Sequence, residues 1–221
     1  MNKAKLIAAT LLAAGLTLSA NAGAADKGKP VGITPKMMDA EVMHDGKKVK
    51  ISRNQNNKNT VKAAFAKTSR PCPPFCIQPS TLAPGVETIG EVEMISHLQK
   101  MAAGDKTILV VDSRTPDWVK KGTIPGAVNI PWTKLNPAKG ADPISIGEIM
   151  QDQFNVTESE GLWNFNKAKT LVMFCNGMWC GQSPNNIKNL LKFGYPAHKI
   201  KWYRGGMQDW EILGLSTVPG K

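Results

Sequence analysis

Beyond its first two dozen residues the sequence has no apolar run near the roughly 20 residues that cross a bilayer, so no later segment is expected to hold the chain in a membrane. Histidine is scarce, and His44, His97 and His198 belong to no motif, which leaves no histidine to nominate as a general base or metal ligand. No segment repeats at a period of roughly 20 to 50 residues, which excludes solenoid architectures. Cysteine is limited to Cys72, Cys76, Cys175 and Cys180. The Pro-Pro-Phe between the first two lacks the histidine of a haem-attachment motif, and an exported chain is a poor setting for a four-cysteine zinc site. No cofactor and no metal is expected.

What the chain does have begins at its amino terminus. Lys3 and Lys5 precede an apolar run from Leu6 to Leu18 and then the small residues Ser-Ala-Asn-Ala-Gly-Ala, the pattern of a secretory signal peptide over residues 1–25. Cleavage after Ala22 or Ala25 would leave a mature protein in the periplasm or outside the cell, with no transmembrane segment. All four cysteines then sit where disulfides persist, and they admit three full pairings.

The formal net charge is +11, and it is uneven. From Asp26 to Arg70 there are 11 Lys and Arg against 4 acids, whereas from Pro71 onward 15 basic residues face 13 acids. Residues 26–85 therefore read as a basic, partly ordered extension, available to an acidic protein partner or an anionic surface. Nucleic acid is not expected, because the chain is exported and its basic residues are not interleaved with aromatics. Within the extension, His44-Asp45-Gly46 before Val49-Lys50-Ile51 is a hairpin signal. Arg70-Pro-Cys-Pro-Pro-Phe-Cys-Ile-Gln-Pro79 is stiff, since each proline fixes its own φ and restricts the residue before it.

From Val86 to Lys221 strand-like apolar runs alternate with helix-like stretches, which predicts an α/β domain with a central parallel sheet flanked by helices in three layers. Strands are expected over Thr107 to Asp112, Ala127 to Ile130, Thr170 to Cys175 and Lys199 to Tyr203. Helices are expected over Gly90 to Ala102, Pro116 to Lys120, Ile144 to Phe154 and Ser183 to Phe193, with a last one after Gly206. Ser183 before Pro184 reads as a helix cap, and Gly194 as the residue that ends that helix. Trp118, Trp202 and Trp210 read as core aromatics.

The strand Thr170-Leu-Val-Met-Phe-Cys175 runs into Asn176, Gly177, Met178, Trp179, Cys180, Gly181 and Gln182 and then into the helix at Ser183. A tight loop and a helix amino terminus turn backbone N–H groups toward one point, where a cysteine sulfur is stabilised as a thiolate. Gly177 and Gly181 would let the loop curl. Met178 and Trp179, inside the loop, are expected to face a substrate, and an apolar pair suits a protein or polysulfide donor better than a small oxyanion.

Three motifs in order around this loop carry a resemblance. Val111-Asp-Ser-Arg-Thr-Pro-Asp-Trp118, Gly122-Thr-Ile-Pro-Gly-Ala-Val-Asn-Ile-Pro131 and Tyr203-Arg-Gly-Gly-Met-Gln-Asp-Trp210 are similar to the Asp-x-Arg, Gly-His-Ile-Pro-Gly-Ala and Gly-Gly-x-x-x-Trp segments of the rhodanese-like domain family, with Thr123 at the histidine. The resemblance implies a sulfurtransferase in which Cys175 takes a sulfane sulfur from a small donor or a persulfidated protein, becomes a persulfide, and passes the outer sulfur to a thiol or protein acceptor. It also implies that Asp112 and Arg114 brace the site.

The loop departs from the family where many active members place arginine, since Cys180 stands there. Without that planar donor fork, thiosulfate is a poor candidate donor. Cys180 is either a small apolar filler or a thiol able to attack a persulfide or close a disulfide with Cys175. The second case is the other reading of the chain: a non-transferring module that senses redox state or binds a partner. Cys72 and Cys76 are expected to pair with each other, as a structural brace or as a bridge that exchanges thiols with the loop.

Overall fold

The computed structural model describes residues 28–220, so the expected signal segment lies outside the described residues. The first elements are strands β1 (Asp39–His44) and β2 (Lys47–Ser52), paired antiparallel around Asp45 and Gly46. Both turn residues have positive φ, 49° and 74°, the geometry that an Asp-Gly hairpin turn supplies at low cost. On β1, Ala40 and Val42 face inward between exposed Asp39 and Glu41, so the hairpin has one apolar face. That face joins Met94, Ile95 and Leu98 in the core cluster. The basic extension is thus built into the body of the protein through its hairpin, more firmly than its polar composition suggests.

The main sheet follows from strands β3 (Glu87–Ile89), β4 (Ile108–Asp112), β5 (Val128–Asn129), β8 (Thr170–Phe174) and β9 (Ile200–Tyr203), ordered β3-β9-β8-β4-β5 and parallel throughout. Strand β4 is buried along its whole length and β8 nearly so, because helices cover both faces. Alternate residues of β8 serve the two sides: Val172 and Phe174 meet one core layer, Leu171 and Met173 the other. The first layer contains helices α1 (Glu91–Ala102) and α5 (Gly206–Ile212) together with the hairpin, and the second α3 (Pro143–Asp152) and α4 (Gln182–Lys192). A short α2 (Pro116–Val119) follows β4, and a small hairpin of β6 (Thr157–Ser159) and β7 (Leu162–Asn164) hangs beside α3.

The expected strands and helices are present within a residue or two at each end. Two elements escaped the periodicity: β3, only three residues long, and the β6–β7 hairpin, whose polar residues carry no alternation. Because all five strands of the main sheet run the same way, the carboxyl ends of β4 and β8 lie side by side, and loops there form the crevice in which open α/β sheets place their ligands.

Candidate active site

Cys175 follows the last residue of β8 and is 3% exposed. As a thiol its Sγ donates to the Cys180 carbonyl oxygen at 3.3 Å, and it accepts from the Ser183 hydroxyl at 3.2 Å. Burial raises its pKa. That effect is outweighed by hydrogen bonds from the Cys180 thiol, the Ser183 hydroxyl and the backbone N–H groups of Ser183 and Gly177, and the thiol is pulled down to about 7. Cys180, also buried, moves the other way: burial, its hydrogen bond to Cys175 and the Cys175 charge push its thiol well above the ordinary value. The two thiols therefore share one ionisation, with the negative charge on Cys175 and the proton on Cys180.

Ser183 is not the helix cap that the Ser-Pro pair suggests. Helix α4 begins at Gln182 with Gly181 in the capping position, which places Ser183 in its first turn. There its hydroxyl accepts from Trp202 Nε1 at 3.2 Å and is left to donate to Cys175. Gly181 itself has φ −88°, a conformation open to any residue, so its freedom is not what shapes the loop. Gly177 does contribute, at φ +159° with Gln208 Oε1 3.0 Å from where a Cβ would stand, and so does Gly206: at φ +55°, a Cβ there would collide with the Cys175 carbonyl and the Gly177 nitrogen. Its absence lets α5 approach until Met207 N–H and Gln208 N–H donate to the carbonyls of Cys175 and Asn176 at 3.0 and 2.9 Å.

Asp112 and Arg114 are almost fully buried and joined by a fork of hydrogen bonds, the shortest 2.6 Å from Nη2 to Oδ2. Thr123, which stands at the family's histidine, donates to Asp112 at 2.7 Å, and Arg114 Nη2 donates to the Gly122 carbonyl at 2.7 Å. The pair thus clamps β4 to the segment around Gly122. It braces the cysteine strand through the backbone, since β4 pairs with β8 with Asp112 opposite Phe174, and the next N–H, that of Ser113, donates to the Phe174 carbonyl at 2.9 Å.

A cavity of about 360 Å³ opens beside the loop, with Trp179, Cys180, Trp118, Trp132, Phe75 and Arg70 among its walls. Asn176, Gly181 and Gln182 also line it. Trp202 and Trp210 are core aromatics as expected, and the half-buried Trp118 packs against the edge of the core while also forming cavity wall. Met178 turns away from this cavity into a neighbouring groove with Ile77 and Ile212.

The stiff segment crosses directly over the loop. Gln78 N–H donates to the Met178 carbonyl at 2.8 Å, Phe75 meets Trp179 edge-on with ring centroids 5.6 Å apart, and Arg204 holds the Gln78 carbonyl at 2.7 Å. Cys72 and Cys76 are disulfide-bonded, and Cys175 and Cys180 are free. Sequence reasoning missed Arg70, Phe75 and Trp132 as cavity residues and Gln208 as the acceptor that fixes Trp179 Nε1 at 2.6 Å. No group of acidic, histidine or cysteine residues suited to a metal ion occurs among the described residues.

Known proteins are similar to the α/β part of this chain. The rhodanese-like domain family matches residues 95–213, which is more than half of the chain. A mitochondrial protein of Schizosaccharomyces pombe, provisionally named a thiosulfate sulfurtransferase, is 26% identical over 126 residues, covering 56% of this chain and 77% of that protein. An HTH-type transcriptional regulator of Mycobacterium tuberculosis is 27% identical over 123 residues, and the match takes in 56% of this chain but only 42% of the regulator. Among solved structures, the human single-domain sulfurtransferase TSTD1 is similar at 22% identity and a TM-score of 0.35, covering 57% of this chain and 95% of that one. The chain belongs to the rhodanese-like domain family.

Proposed function

We propose that this chain is an exported sulfurtransferase that carries sulfane sulfur as a persulfide on Cys175. The observation that carries the reading is the convergence of donors on one buried sulfur at the head of α4, which holds the thiol near pKa 7. The named sulfurtransferase among its relatives points the same way. In the first step the Cys175 thiolate attacks the outer sulfur of a donor persulfide, forming the Cys175 S–S bond as the donor's own S–S bond breaks and its thiolate departs. In the second, an acceptor thiolate attacks that outer sulfur, and the Cys175 thiolate leaves and is held again by Ser183 and the loop N–H groups. No net oxidation occurs, and no cofactor is needed to balance either step.

Cys180 favours a second reading. Its thiol, whose sulfur donates to Gln182 Oε1 at 3.7 Å, is pushed up by burial and by the Cys175 charge, so an oxidant would join the two sulfurs as a disulfide and leave a redox-sensing or partner-binding module. The signal-like amino terminus supports a periplasmic or secreted location, and the surplus of Lys and Arg in residues 26–70 supports docking to an acidic protein or an anionic surface.

The donor can be tested by substitution. With thiosulfate, the Cys175 thiolate would take the outer sulfur and release sulfite, a doubly charged leaving group for which the loop offers no guanidinium. Wild-type protein is expected to turn over thiosulfate at least tenfold more slowly than polysulfide, and Cys180→Arg is expected to raise the thiosulfate rate, measured as sulfite release. A Cys180→Arg variant that keeps its circular dichroism spectrum yet gains nothing on thiosulfate would contradict the assignment.

A further inference from the structure

The aromatic cavity beside the cysteine loop, walled by Asn176 and Cys180 while Cys175 itself is buried behind them, carries one charge. Arg70 is the sole ionisable side chain other than Cys180 among the described residues that line it, and it belongs to the stiff segment, well before the family-matched region begins at residue 95. Its guanidinium lies over the Trp179 ring, 3.8 Å from the centroid, and within 5.8 Å of the Phe75 ring. It makes no ion pair or hydrogen bond with any described residue, and its Nε is buried without a partner. An arginine held by stacking on tryptophan keeps its planar donor fork available for hydrogen bonding.

A second observation comes from the loop itself. Asn176 is 3% exposed, lines the same cavity, and leaves its amide oxygen without a partner. A half-turn of the amide presents its two N–H donors at the same place. The guanidinium and this amide thus open into the same cavity, while Trp118, Trp132 and Phe75 offer it apolar surface.

We propose that Arg70 determines donor specificity by binding the oxyanion head of an organic sulfur donor whose apolar body fills the aromatic cavity. The inference rests on sulfur transfer through Cys175 and adds the chemical class of the donor. A guanidinium supplied from the disulfide-held segment takes over the charge that the loop lacks, and the apolar walls favour an organic anion over inorganic thiosulfate. For benzenethiosulfonate the step balances: the Cys175 thiolate attacks the terminal sulfur, the bond between that sulfur and the sulfonyl sulfur breaks, and benzenesulfinate leaves against Arg70 as the Cys175 persulfide forms.

The test uses benzenesulfonate, which has the head and the body but no sulfur to give, with its dissociation constant measured by calorimetry on the whole mature protein. Wild type is expected to bind it, Arg70→Ala and Arg70→Gln to bind it at least tenfold more weakly, and Arg70→Lys to fall between, since lysine keeps the charge without the fork. Benzenethiosulfonate should show a matching rise in KM in the same variants, with a smaller change in kcat. Equal benzenesulfonate affinity in wild type and Arg70→Gln would overturn the proposal. If binding depends on Arg70 but benzenethiosulfonate and polysulfide both leave Cys175 without added sulfur, the anion site stands and the sulfur-transfer reading falls.

Discussion

Iodoacetamide at pH 7 is expected to label Cys175 about a hundredfold faster than Cys180 in the reduced protein, measured by peptide mass spectrometry. With its pKa at about 7, Cys175 is roughly half thiolate there, whereas a thiol held well above 9.0 is less than about 1% ionised. Because the Cys175 pKa is lowered, the reactive form accumulates as pH rises through 7 and is lost as pH falls below it. Ser183→Ala removes the hydroxyl donor and should move the midpoint of this profile upward, toward the ordinary thiol value of 9.0. Blocking Cys175 removes the negative charge that suppresses Cys180, so Cys180 should become more reactive in Cys175→Ser than in wild type. Equal labelling of both cysteines in wild type, or a profile that ignores Ser183→Ala, would dissolve the argument that the loop activates one thiol.

Arg114→Leu is expected to destabilise the protein by about 3–5 kcal/mol, the usual cost of leaving one partner of a buried ion pair uncompensated. Such a loss is a large part of the ~5–15 kcal/mol that holds a typical domain folded. Asp112 would keep Thr123 and the Arg114 backbone N–H but lose the guanidinium fork. Pairing the change with Asp112→Leu should recover much of the stability, because the stranded carboxylate goes with its partner. Urea unfolding of the wild type and these two variants measures this. An Arg114→Leu midpoint close to wild type would mean that the clamp between β4 and the Gly122 segment contributes little.

The sheet was legible because its central strands are buried on both faces and read as continuous apolar runs, as at Ile108-Leu-Val-Val111 and Leu171-Val-Met-Phe174. The placement of Cys175 at the turn from strand to helix was legible from local order alone, because a strand, a short loop and a helix are contiguous in sequence. The same locality explains what was missed. Arg70 and Phe75 lie about a hundred residues before the loop they cover, and nothing in their spacing signals that contact. Ser183 carried the residue type of a cap, but the loop entered α4 two residues earlier, with Gly181 as the cap, and released the hydroxyl to the thiol. The hairpin's turn was readable from Asp45-Gly46, yet its burial was not, because only Ala40, Val42 and Ile51 face inward while lysines and acids dominate the composition.

Sulfur on Cys175 is the central claim, and intact-protein and peptide mass spectrometry of the reduced mature protein after exposure to polysulfide tests it most directly. The account predicts a gain of one sulfur atom on the peptide holding Cys175, its loss on addition of an acceptor thiol that gains the same sulfur, and neither event in Cys175→Ser. A protein that gains no sulfur and instead loses two hydrogens as Cys175 joins Cys180, or one that carries the sulfur on Cys180, would contradict it.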